Sequence, residues 1–262
     1  MFSIDADQRT IIFIGGLHRS GTSLLHELLK KHPDVSGFSN TGVPKDEGQH
    51  LQSIYPPAKV FGGPGRFGFD PASFMDEHHP LVSEENARKL FDEWSQHWDL
   101  IKSNFVEKSP PNLVRMPFLQ ALFPNAKFVT ILRHPIAVAY ATKAKFHRKG
   151  KIDELIEHWI ICHQKFIADL PHIRNHCLLR YEDLALNYQF EMEKIFHFLD
   201  IQEVSLSEEV SSTENLKYFE KWDIEKENIL QDTQFNQEIW EIWANRFGYS
   251  FSSPSTLHRN SY

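Results

Sequence analysis

The stretch "TIIFIGGLHRSGTSLLHELLKKHP", residues 10–33, decides how the rest of the chain is read. "TIIFIGG" is a β-branched run closed by glycines, the pattern of a buried strand. Leu24, Leu25, Leu28 and Leu29 then recur at helical spacing until Pro33 stops the helix. Between the two, Gly16 and Gly21 keep the spacing of the phosphate-cradling loop G-x-x-x-x-G-K-[ST]. Ser23 keeps the hydroxyl, but Thr22 stands where the lysine belongs, and the nearest cation is Arg19 inside the loop. A glycine turn between strand and helix aims backbone N–H groups and the helix dipole at an anion. Ser20, Thr22 and Ser23 add hydroxyl donors, more than a plain strand–helix turn needs.

Working outward, four further strands are read: in "VSGF", in "NFVEKSPP" running into a turn at Pro110 and Pro111, in "AKFVTILRHP", the clearest buried run, and in "HCLLRYEDL", ending near Arg180. Helical patterns separate them: "SEENARKLFDEWSQHWDL" with Ser83 as N-cap, "NLVRMPFLQALFP", "IAVAYATKAKF" and "IDELIEHWIICHQKFIADL". "YQFEMEKIFHFLDI" and "FNQEIWEIWANRFGY" add two more toward the C-terminus. A helix is also expected to start near Pro44, in "VPKDEGQHLQSIY", with Leu51, Ile54 and Tyr55 inward. This alternation predicts an α/β fold, a single domain over residues 1–262 with a central parallel sheet flanked by helices. Residues 56–80, turn-rich yet carrying Phe61, Phe67, Phe69 and Phe74, read as a packed substrate or lid loop. In such folds ligands sit at the carboxyl ends of strands. "GGLHRSG", "EKSPP", "RHP" and "RYEDL" all fall there.

The composition narrows the partners. A formal net charge of -7 argues against general nucleic-acid binding, which needs clustered cations. No run approaches a membrane span, the N-terminus has no signal-peptide core, and two cysteines make no disulfide framework. The expectation is a cytoplasmic protein with no nucleic-acid or membrane partner; its oligomeric state is unreadable. His158 with Cys162, and His172 with His176, are each four apart, but neither pair completes the three or four ligands a zinc site needs, so no metal is expected.

The four motifs together resemble the sulfotransferases that use 3′-phosphoadenosine 5′-phosphosulfate (PAPS). "HRSGTSLL" looks like their 5′-phosphosulfate loop and "ILRHPIAVAYA" like their 3′-phosphate segment; "EKSP" and "LLRYEDL" are similar to further stretches. The resemblance runs in order from residue 11 to about 200. It implies the P-loop-like fold of that superfamily, PAPS as donor, adenosine 3′,5′-bisphosphate (PAP) as product and transfer to a hydroxyl or amine of a small-molecule or glycan acceptor. It also explains the missing lysine, since PAPS has no γ-phosphate. The alternatives are a different P-loop transferase, such as a kinase with an altered loop, or a catalytically silent nucleotide-binding protein.

By the resemblance, Arg19, Ser20, Gly21, Thr22 and Ser23 hold the 5′ end, Arg133 the 3′-phosphate, and Tyr181 lies against the adenine. Arg19 and Lys108 face the transferring group, with Glu107 as a candidate ion-pair partner for Lys108. The family places a serine eight residues after the arginine; here Ala141 stands there with Thr142 beside it. Glu47 ranks first as general base, His50 second and His18 third; Glu47 and His50 would share a helical face. Lys217 and Lys221 lie where some branches close a lysine-bearing segment over the donor. "HRKGK", residues 147–151, reads as a solvated helix end.

Overall fold

The computed structural model describes residues 9–206 and 210–258. Its centre is a five-stranded sheet: β1 (Thr10–Gly15), β2 (Val35–Gly37), β3 (Asn104–Lys108), β4 (Lys127–Leu132) and β5 (His176–Arg180). The spatial order is β2-β3-β1-β4-β5, and every pairing is parallel. The five strands and the parallel sheet expected from the sequence are all present.

Both faces of the sheet are covered, which is why the strands read as continuous apolar runs. Ile11 and Phe13 of β1 point to one side, into a core with Trp94, Phe105, Phe118 and Phe128. Ile12 and Ile14 point to the other, among Leu25, Leu28, Val129, Ile195 and Phe196. Helices α1 (Thr22–Lys30) and α7 (Tyr188–Leu199) cover this second face. On the first face pack α2 (Glu84–Ser95), α3 (Met116–Leu122), α4 (Pro135–Phe146) and α5 (Ile152–Asp169). Ser83 caps α2 as expected, its hydroxyl accepting from the Asn86 N–H at 3.1 Å.

Two readings need correction, and one helix is unanticipated. No helix starts near Pro44: two short 3₁₀ turns, Pro44–Asp46 and Gly48–His50, stand there, with Glu47 extended between them. Lys45 and Asp46 take positive φ (57° and 48°), a backbone state that interrupts any helix. "NLVRMPFLQALFP" opens as a 3₁₀ turn, Pro110–Val114, and becomes α3 only at Met116. A 17-residue helix, α8 (Leu216–Asp232), has no counterpart among the sequence-based expectations; with α6 (Tyr181–Leu186) before it and α9 (Gln237–Arg246) after, it completes the helical set. The 56–80 segment is a chain of 3₁₀ turns in which Phe67 is buried and Phe61 and Phe74 are half-buried.

Candidate active site

The parallel register brings the four motif-bearing strand ends together. Ile14 pairs with Lys108 across β1 and β3, Gly15 with Thr130 across β1 and β4, and Leu132 with Arg180 across β4 and β5. The loop after β1, the Lys108 turn, Arg133 and Tyr181 therefore share one edge of the sheet.

In the β1–α1 loop, Gly21 is the N-cap of α1 with φ 105°, and no side chain caps the helix. A Cβ on Gly21 would meet Ile131 and Tyr181 at 3.0 Å, so only glycine lets the loop lie this close. Ser20 is buried with its hydroxyl unpartnered, Thr22 is buried, Ser23 is exposed. Open first-turn N–H groups beside an unsatisfied buried hydroxyl are what an anionic ligand completes. Arg19, at φ 73°, has its side chain exposed and its carbonyl accepting from Arg133 Nη1 at 2.9 Å.

Arg133 is held on several sides. Its Nε donates to Asn215 Oδ1 at 2.9 Å and its guanidinium lies 4.4 Å from the Tyr181 ring centroid. Asn215 in turn donates to Glu182 Oε1 (2.7 Å), and Glu182 also accepts from the His134 N–H (2.9 Å) and the Tyr249 hydroxyl (2.8 Å). Burial holds the Glu182 carboxyl above its ordinary value, against the lowering pull of the His134 N–H, the Tyr249 hydroxyl and the Arg133 charge. The same burial pushes His134 down to about 3, so it is neutral at pH 7. Asn215 and Glu182 are structural partners absent from the sequence-based expectations; nothing in the spacing of Asn215, 82 residues downstream of Arg133, announces it. Arg180 forks onto Asp183 at 2.6 and 2.9 Å and anchors the C-terminal segment through the His258 carbonyl.

On the other side of β1, Lys108 is fully buried, donates to the Lys45 carbonyl at 2.7 Å and sits 3.4 Å from Glu47 Oε1. Burial lowers its pKa, and the Glu47 and Glu107 charges oppose that shift. Glu47 Oε2 accepts from Gln49 Nε2 at 2.6 Å, with His50 Nε2 3.9 Å away. Glu47, His50 and Lys108 thus meet, through a 3₁₀ turn rather than a helical face. His50 is lowered by burial against the raising pull of Glu47. His18 is pushed down to about 3, by burial first and then by Lys108 and His50; its ring packs edge-on against Phe67 and Phe146.

Glu107 is not the ion-pair partner of Lys108. Consecutive strand residues face opposite sides, and the Glu107 carboxylate accepts from Ser109 Oγ and Asn112 Nδ2, both at 2.5 Å. Thr142 turns its methyl toward Gly65 of the 56–80 segment. Lys217 pairs with Glu214 at 2.7 Å, and Lys221 is exposed on a groove shared with Tyr140, Arg148 and Glu225. In "HRKGK", Arg148 and Lys149 are exposed but His147 is tied to the Pro64 carbonyl at 2.5 Å. The His158 ring and the Cys162 thiol contact each other at 3.6 Å in the core. Among the described residues no group of three or more His, Cys, Asp or Glu is placed to hold a metal ion.

The loop, the arginine on its strand end and the buried lysine–carboxylate pair lie together at the carboxyl ends of the strands of the α/β sheet, as a candidate anion site. The Sulfotransferase family model matches residues 12–205, and the chain belongs to that family. Protein-tyrosine sulfotransferase 1 of Danio rerio is 27% identical over 201 residues, covering 73% of this chain and 53% of that protein. A putative protein-tyrosine sulfotransferase of Caenorhabditis briggsae is 25% identical over 204 residues, covering 73% and 66%. The chain thus spans between about half and two thirds of these relatives. A sulfotransferase domain from the curacin biosynthetic pathway covers 92% of this chain and 98% of its own at TM-score 0.49 and 17% identity.

Proposed function

We propose that the protein transfers a sulfuryl group from PAPS to a hydroxyl, or an amine, of its acceptor. The observation that carries this reading is the pairing of a lysine-free, hydroxyl-rich anion loop with the buried Lys108–Glu47 pair at the neighbouring strand end. Backbone N–H groups of the loop, with Ser20, Thr22 and Ser23, would hold the 5′-phosphosulfate. Arg133 would take the 3′-phosphate through the N–H groups that Asn215 and Arg19 leave open, and Tyr181 would border the adenine. Thr142 faces the 56–80 segment, so it is a poor substitute for the serine that Ala141 replaces, and Arg133 carries the 3′ end.

The acceptor heteroatom attacks sulfur, the bond from sulfur to the 5′-phosphate oxygen breaks, the acceptor proton passes to Glu47, and PAP leaves. Arg19 and Lys108 stabilise charge on the leaving phosphate and the group in flight; alignment and electrostatics supply most of such catalysis. The 56–80 segment, with Phe67 beside His18, would form the acceptor wall of a single catalytic domain. A small-molecule or glycan acceptor and a cytoplasmic setting belong to the same proposal; the free thiols of Cys162 and Cys177 suit a reducing compartment. Calorimetry in EDTA should show PAP binding more tightly than 5′-AMP. Equal affinities would remove the 3′-phosphate assignment.

A further inference from the structure

We infer that Glu107 is a positioning residue for Glu47, acting through the Ser109 hydroxyl and Gln49. The inference rests on the reading of Glu47 as general base. The chain of contacts is continuous. Ser109 Oγ donates to Glu107 Oε1 at 2.5 Å and accepts the Gln49 backbone N–H at 2.9 Å; Gln49 Nε2 then donates to Glu47 Oε2 at 2.6 Å. Gln49 is fixed at its far end as well, its Oε1 accepting from the Ala58 N–H at 2.8 Å.

In its ionised form Glu107 accepts at both oxygens, and the direction of each bond follows from that. Asn112 Nδ2 donates to Glu107 Oε2 at 2.5 Å and to the Ile14 carbonyl at 3.1 Å, so its two protons are committed. With Oε2 occupied, Oε1 takes the Ser109 proton, and the hydroxyl's lone pairs are left for Gln49. The contact is also close in space. A Cβ on Gly48 would collide with Glu107 Oε1, so the backbone between Glu47 and Gln49 is seated directly on this carboxylate. Trp94 Nε1 closes the same turn by donating to the Gly48 carbonyl at 3.0 Å. The 3₁₀ turn that follows Glu47 is short and has no helical register of its own, so its aim is set by what it is bonded to.

An amide at position 107 has the same shape but one donor too many. It faces its NH₂ either at Asn112 Nδ2 or at Ser109, where it reverses the hydroxyl. A double-mutant cycle separates positioning from mere packing. Glu107→Gln and Ser109→Ala should each lower kcat at saturating PAPS by about ten- to a hundredfold, the scale of a displaced catalytic group. PAP affinity and the KM for PAPS should stay within about twofold, because the bonds of these two side chains run to Asn112 and Gln49 and not to the β1–α1 loop, Arg133 or Tyr181. In a Glu47→Gln background the same two changes should have no further effect on kcat.

Effects that multiply instead of merging would overturn the relay, as would normal kcat in both single variants beside a slow Glu47→Gln. Loss of PAP binding in both single variants would mean that Glu107 supports the whole fold, which also overturns it. Normal turnover in Glu47→Gln alone would sink the base assignment itself, a different outcome from these three.

Discussion

On the side proposed to hold the donor, Arg133 and Tyr181 follow directly on strands β4 and β5, and Gly21 ends the loop that joins β1 to α1. On the side proposed for the base, Glu47 sits between two 3₁₀ turns, behind Lys45 and Asp46 with positive φ, and contacts Lys108 and Gln49, with Ser109 and Glu107 bonded in turn behind Gln49. The donor side is positioned by regular structure, the base side by a buried polar network. A network fails as a unit when one member is removed, whereas a strand end tolerates local change.

The largest expected effect tests the base side. Glu47→Gln keeps shape and PAP binding but should lower the single-turnover rate by ~10²–10⁴-fold, the usual contribution of a general base. His50→Ala, 3.9 Å away, should cost less. A dead His50→Ala beside a normal Glu47→Gln reverses the assignment within the pair.

Next comes the donor side. Arg133→Ala should weaken PAP by about 1.5–3 kcal/mol, the range for a hydrogen bond to a charged group. The affinity for 5′-AMP should barely change, and calorimetry of both ligands reads the difference. Equal loss for the two would mean that Arg133 acts by bracing the loop through the Arg19 carbonyl instead.

The smallest effect concerns pH. Burial pushes the Glu107 carboxyl up to about 7 from an ordinary value of 4.5, against the pull of Ser109 and Asn112. A raised folded-state pKa means that the folded protein binds more protons than the unfolded chain between those values. Its stabilising contribution is complete below 4.5 and is lost as pH rises through about 7. Buried histidines such as His134 and His163, pushed down to about 3, tilt wild type and variant alike. Relative to Glu107→Gln, the wild type should therefore gain stability toward pH 5 and lose it toward pH 7, by at most about 1.4 kcal/mol per pH unit. Urea denaturation at each pH measures it, and a flat difference would show that Glu107 does not titrate there.

The same contrast explains what the sequence disclosed. The five strands are legible because a parallel sheet covered on both faces writes itself as apolar runs, and the loop because its glycines and hydroxyls keep a fixed spacing. Glu47, His50 and Lys108 are legible as residues, but the helix expected around the first two does not form. Periodicity cannot register that Lys45 and Asp46 adopt left-handed backbone, which depends on contacts such as Asp46 Oδ1 accepting the Thr41 N–H at 2.8 Å. Asn215 is invisible as a site partner because its bond to Arg133 spans 82 positions, and Gln49 and Ser109 because theirs spans 60. The Glu107–Lys108 pairing failed for a simpler reason, since neighbours on a strand point to opposite faces.

Incubation with sulfur-labelled PAPS and a panel of hydroxyl and amine acceptors, in EDTA, tests the central claim most directly. Stoichiometric PAP and labelled acceptor, formed without added magnesium, is the predicted result. Silence across the panel, or magnesium-dependent phosphoryl transfer from ATP in its place, would contradict it.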